Sequence, residues 1–184
     1  MKEISLNILD IAENSVKAGA SLTEIYINEE ENTLTLKIVD NGCGMSAEVL
    51  ESVTNPFYTT RTTRSVGLGI PLLKLACEQT GGRLELCSKV KTDSSTDHGT
   101  SLTAYFNKNH LDYTPLGDVI STVITLVQGH PERDFLFKHT LPSGEAMLDT
   151  RLLREVLEDV PLSTPEVLVW ISESLREQYS MLNK

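Results

Sequence analysis

Thr33-Leu-Thr-Leu-Lys-Ile-Val39 alternates apolar and polar residues and runs without a break into Asp40-Asn41-Gly42-Cys43-Gly44-Met45. Period-two alternation belongs to a half-buried strand, so this stretch demands a sheet, and Asp40 is the last residue that sheet holds in place. Gly42 and Gly44 carry no Cβ, which lets the backbone take φ > 0 and lets a ligand approach the main chain closely. A carboxylate fixed at a strand end, rather than on a mobile loop, can accept from an amino group. Asn-Gly is also the commonest hairpin dipeptide, so the turn taken alone reads first as a plain turn.

Its surroundings narrow the choice. Ser5 to Ala18 has the spacing of a helix, with Leu9, Ala12 and Val16 on an apolar face broadened by Ile8 and Ile11, and Gly19 as a left-handed stop. On the other face Asp10, Asn14 and Lys17 fall at i, i+4 and i+7, which lines up a carboxylate, an amide and an ammonium; a solvated face with a helix salt bridge has the same spacing. Thr23 to Glu29 is the expected partner strand of Thr33 to Asp40, across an acidic turn. Ser46 to Val53 reads as a short helix capped by Ser46. Asn55 to Ser65, rich in hydroxyls and carrying Arg61 and Arg64, has no apolar period and is expected to be a mobile loop. It leads into Gly67-Leu68-Gly69-Ile70-Pro71, a glycine element opening a helix whose first amides form an anion site.

Arg83 to Lys91 and Thr100 to Asn107 read as two further strands around a Ser/Thr/Asp-rich loop. A first unit therefore spans 1–110. Beyond it, 111–184 reads as helix (Leu116 to Gln128), strand, a turn at Pro142-Ser143-Gly144, strand and two helices: a small α+β module.

The formal net charge of −10 disfavours sequence-independent nucleic-acid binding, which draws its affinity from cations neutralising phosphates, and it disfavours acidic partners. No apolar run is long enough to span a bilayer, and the first residues lack a signal-peptide pattern. The expected compartment is the cytoplasm. Cys43, Cys77 and Cys87 show no CxxC spacing and indicate neither a disulfide framework nor a zinc site.

The helix stripe, the strand-end DNGCGM and the hydroxyl-rich loop running into GLG stand in one order, and in that order the chain resembles the GHKL superfamily of ATP-binding domains. This is the group of gyrase, heat-shock chaperone, histidine kinase and mismatch-repair ATPases, and the resemblance covers about Ile4 to Phe106. Leu9 to Ala20 is similar to the N box and Asp40 to Met45 to the first glycine box. Asn55 to Thr60 is similar to the phenylalanine box of histidine kinases, Gly67 to Ile70 to the second glycine box, and Gly99-Thr100 to the last. The resemblance implies the Bergerat fold, an α+β two-layer sandwich in which helices cover one face of a mixed sheet, with ATP between the helices and a flexible lid. It implies that Asn14 ligates Mg²⁺ through its amide oxygen. Asp40 would accept from the adenine amino group, helped by Thr100 through water, and Gly42 and Gly44 would admit the base. Gly67, Leu68 and Gly69 would bring backbone amides onto the phosphates. Lys17, Thr59, Thr60 and Arg61 are further candidate phosphate contacts.

The departure from the pattern is Asp10. Gyrase-type and mismatch-repair members have glutamate there as the base that activates water, and histidine kinases usually have asparagine. Aspartate is one methylene shorter, and a loss of reach of roughly an ångström can cost about a hundredfold in rate. The expectation is a slow ATPase working as a nucleotide-driven switch on a protein partner, with a homodimer compatible. The alternatives are a stand-alone protein kinase or a non-catalytic ATP sensor. As a phosphoacceptor for the kinase alternative, His130 stands before a proline at a helix end, where loop histidines are common.

Overall fold

A computed structural model describes residues 3–53, 68–93 and 96–182. Six strands form one sheet, β1 (Leu22–Glu29), β2 (Thr33–Asp40), β3 (Arg83–Lys89), β4 (Gly99–Asn107), β5 (Asp134–Leu141) and β6 (Gly144–Asp149), in the order β3-β4-β2-β1-β5-β6. All neighbours are antiparallel except β1 and β5, which run parallel from Leu22 opposite Asp134 to Asn28 opposite Thr140. The sheet is mixed, as the resemblance implied.

Alternation puts Ile25 and Ile27, Leu34, Leu36 and Ile38, Leu102 and Phe106, and Phe135 and Phe137 on one buried face. Each such side chain contributes about 1.5–3 kcal/mol by leaving water. Helices cover that face: α1 (Ile4–Lys17) lies on β1 and β2, α3 (Gly69–Glu78) on β3 and β4, α4 (Val119–Gly129) against β5, and α6 (Pro165–Leu182) on β6. The short α2 (Ala47–Val53) and α5 (Thr150–Leu157) flank the layer. The 111–184 part, read from sequence as a small α+β module, supplies α4 to α6, β5 and β6, and through the β1–β5 pair it shares one sheet and one apolar core with 1–110. The α4 helix starts later than its apolar spacing suggests. Gly117 is left-handed (φ +80) and the Asp118 carboxylate accepts from Ser121 N at 2.9 Å, so the cap falls after Leu116. Among the described residues no helix is long and apolar enough to cross a membrane.

A polar network closes the end of the core at Glu29. Lys108 Nζ donates to Glu29 Oε2 (2.7 Å), and the buried His139 lies between Glu29 Oε1 (3.2 Å, from Nε2) and the Tyr179 hydroxyl (2.7 Å, from Nδ1). The hydrogen bond from His139 and the adjacent Lys108 outweigh burial and hold the Glu29 carboxyl at about 2, while burial pushes the Tyr179 phenol up.

Candidate functional site

Asp40 stands at the opposite end of the same strands, paired with Thr23 on β1 and Thr100 on β4. Its Oδ1 accepts from Gly42 N (2.9 Å) and Thr100 N (3.3 Å), and its Oδ2 accepts from the Ser15 hydroxyl on α1 (2.9 Å). A carboxylate has about four acceptor positions, so three donors from three elements fix the group and, among the described residues, leave one position on Oδ2 open. Thr100 is held in turn. Ser88 Oγ accepts from Met45 N (2.8 Å), donates to the Gly99 carbonyl (3.0 Å) and lies 3.0 Å from Thr100 Oγ1.

The two glycines of the turn each have a reason inside the protein. Gly44 has φ +69, and a Cβ there would stand 1.9 Å from the Lys89 carbonyl oxygen. A Cβ on Gly42 would meet Ala18 Cβ at 2.9 Å and Asp40 Oδ1 at 3.0 Å, so glycine lets the turn lie against the end of α1. Hydrogen bonds fasten it there: Cys43 N to Ala18 O (2.9 Å), Lys91 N to Cys43 O (2.8 Å), and His98 Nδ1 to Gly42 O (2.7 Å), in which the ring nitrogen must donate because a carbonyl only accepts.

A cavity of about 310 Å³ opens beside Asp40. Asn14, Lys17, Ser15 and Ile11 of α1 wall one side, Ile38, Leu86, Leu102 and Thr100 floor it, and Gly44, Met45 and Val49 close the other side, with Ile70 at the end. Of the residues singled out from sequence, Asn14, Lys17, Asp40, Gly44 and Thr100 therefore meet at one cavity. Gly42 stands behind it, against Ala18. Asp10 lies next to the start of α3: a Cβ on Gly69 would be 3.0 Å from Asp10 Cβ and 3.7 Å from its Oδ2. Leu68 precedes that helix, exposed, and among the described residues no side chain caps it. Thr59, Thr60, Arg61 and Gly67 lie outside the described residues. His130 ends α4 with Nε2 on Glu13 Oε1 at 2.8 Å, tying α4 to α1.

Three contributors escape sequence reasoning: Ser15, Ser88 and His98. Ser15 had a signal, a hydroxyl at i+4 from Ile11 and i+7 from Ile8 inside the buried stripe of α1. Ser88 and His98 act across the fold and had none.

The family model described as histidine kinase-, DNA gyrase B-, and HSP90-like ATPase matches residues 2–110. The sensor protein KdpD of Clostridium acetobutylicum is 29% identical over 94 residues, 48% of this chain and 10% of that protein. Sporulation kinase D of Bacillus subtilis is 31% identical over 91 residues, 50% of this chain and 18% of that protein. The chain thus spans less than a fifth of these curated relatives. Among solved structures, the Aquifex aeolicus MutL ATPase domain complexed with ADP matches with a TM-score of 0.54 at 16% identity, covering 86% of this chain and 70% of that one, which speaks for a common fold.

Proposed function

Because this chain belongs to the histidine kinase-, DNA gyrase B-, and HSP90-like ATPase family, we propose that it binds ATP with Mg²⁺ in the cavity beside Asp40 and hydrolyses it slowly, as a cytoplasmic, nucleotide-driven switch acting on a protein partner. The observation that carries the reading is the open acceptor position on Asp40, whose Oδ2 is fixed by Ser15, at the edge of a cavity floored by Ile38, Leu86 and Leu102. The adenine amino group donates to such an acceptor. Guanine presents a carbonyl oxygen at the equivalent ring position and would face it lone pair to lone pair. The volume lies at the lower end of the range for ligand sites, about 300–1,000 Å³.

Asn14 suits the metal. Mg²⁺ keeps several waters and takes most remaining ligands from phosphates, so one amide oxygen at the rim of the same cavity is a sufficient protein donor. When bound, the ion would neutralise phosphate charge. Lys17, exposed on the same stripe, adds a positive charge to that rim. Asp10, beside Gly69 at the start of α3, is the base that would take a proton from the attacking water. Its short side chain underlies the slow rate.

The resemblance to proteins named as kinases supports a second reading, transfer of the γ-phosphate to a partner. Three measurements separate the steps. Titration with ATP and GTP should show preference for ATP in wild type and loss of ATP binding in Asp40→Ala; equal binding of both nucleotides by both proteins would remove the adenine assignment. Asp10→Asn should abolish phosphate release while leaving ATP affinity within a few-fold, and Asp10→Glu should keep or raise the rate. If wild type instead labels a partner with little free phosphate, the phosphotransfer reading replaces hydrolysis.

A further inference from the structure

Apart from the cavity beside Asp40, α4 and α6 bound an open groove of about 340 Å³ lined by the apolar Ile120, Ile124, Leu168 and Val169 together with the hydroxyl residues Ser121, Thr125 and Ser172. Beside it the outer face of α6 carries Val169 and Trp170, 56% and 53% exposed. Surface helices of a protein this acidic normally present charge outward. Instead, α4 has no charged residue along its 11 positions, and α6 shows a valine and the chain's single tryptophan. Depletion of charge with an exposed aromatic is the composition of the centre of a protein interface.

What surrounds the patch defines its occupant. Glu166 and Glu173, both exposed, stand one helical turn before and one turn after the Val169–Trp170 pair, so carboxylates bracket the apolar centre. The one cation on this stretch of α6, Arg176, lies towards the α4 start, where the Asp118 carboxyl is lowered chiefly by its hydrogen bonds from Ser121, with a smaller contribution from Arg176. Two packed helices leave a groove shaped for the ridge of a third. The neighbouring sheet edge is not available for strand addition at its middle. Gln178 accepts from Met147 N (2.8 Å) and donates to Met147 O (3.2 Å), occupying the backbone groups of that residue of β6.

We propose that the α4–α6 groove docks an amphipathic helix of a partner protein, about three turns long, whose apolar face fills the groove over Val169 and Trp170 and whose flanking lysines or arginines meet Glu166 and Glu173. The site lies outside the nucleotide cavity and does not depend on the function proposed above.

The single tryptophan makes the test direct. The probe is a synthetic amphipathic helix of leucine and lysine as long as α4, with a leucine–glutamate version as control, titrated into the full chain while Trp170 emission is followed. The lysine peptide should give a saturable blue shift and the glutamate peptide none. Val169→Lys should weaken binding about tenfold, the loss of one interface anchor, and the pair Glu166→Lys with Glu173→Lys should reverse the preference between the two peptides. Circular dichroism checks that Val169→Lys folds; if it does not, the charge-reversal pair, both at exposed positions, decides. Absence of a shift, equal binding by wild type and the charge-reversed protein, or self-association of the chain that Val169→Lys abolishes would each overturn the proposal, the last by assigning the groove to a second copy.

Discussion

At one end of the β1–β2 pair, Asp40 takes three neutral donors, Gly42 N, Thr100 N and Ser15 Oγ, and keeps an acceptor position open onto a cavity. At the other end Glu29 takes Lys108 and His139, with Tyr179 behind the imidazole. The two carboxylates share a strand pair and a face but have different partners. Cationic and imidazole partners neutralise a carboxylate and make it a pin between β1, β5, α6 and the residue following β4. Backbone amides and one hydroxyl orient a carboxylate without cancelling its charge, which suits it to a ligand that arrives later.

The comparison breaks most visibly in stability. Glu29→Ala takes the carboxylate from the buried His139 and from Lys108, which keeps only the Glu30 carbonyl (3.0 Å), and should cost about 2–3 kcal/mol by urea denaturation, while the folded protein keeps its ATP affinity. Asp40→Ala should do the reverse, abolishing ATP binding at a cost of about 1 kcal/mol. If the two losses came out alike in both assays, the division between pin and receptor would be wrong.

Acid sharpens it. The Glu29 carboxyl is held at about 2 against an ordinary 4.5. A depressed carboxyl contributes stability above its unfolded value, and that contribution drains away as pH falls from 4.5 towards 2. Wild type should therefore lose more stability than Glu29→Gln across this window, measured as the difference between their denaturant midpoints at each pH.

The smallest effect belongs to Ser15. Ser15→Ala removes one of three donors from Asp40 and should weaken ATP binding a few-fold, about 0.5–1.5 kcal/mol, with the melting temperature nearly unchanged; calorimetric titration reads it. An unchanged affinity would mean that the two backbone amides alone orient the carboxylate.

The receptor end was the more legible of the two in the sequence. Asp40, Asn14 and Lys17 lie on local periodicities, a strand that alternates and a helix stripe, and Gly44 stands in the turn directly after that strand; such local pattern is what a sequence displays. Ser15 was hidden because a serine in an apolar stripe looks like tolerated polarity. Ser88 and His98 were hidden because their partners, Met45 and Gly42, lie 43 and 56 residues away. The pin end was illegible for the same reason: Glu29 meets His139 across 110 residues. The parallel pairing of β1 with β5 follows from neither strand's own pattern, so 111–184 read as a separate module although it completes the sheet.

That pairing has a consequence for how the chain comes into being. Strands β1 to β4 can pair as soon as they are made, but the second edge of β1 stays empty until β5, ending at Leu141, has been synthesised. Through that interval the nascent chain presents a bare row of backbone donors and acceptors beside Ile25 and Ile27, the kind of edge on which chains join one another by mistake. Delay on the ribosome between Asn107 and Leu141, or an excess of chains released before β5, should therefore favour aggregation over folding.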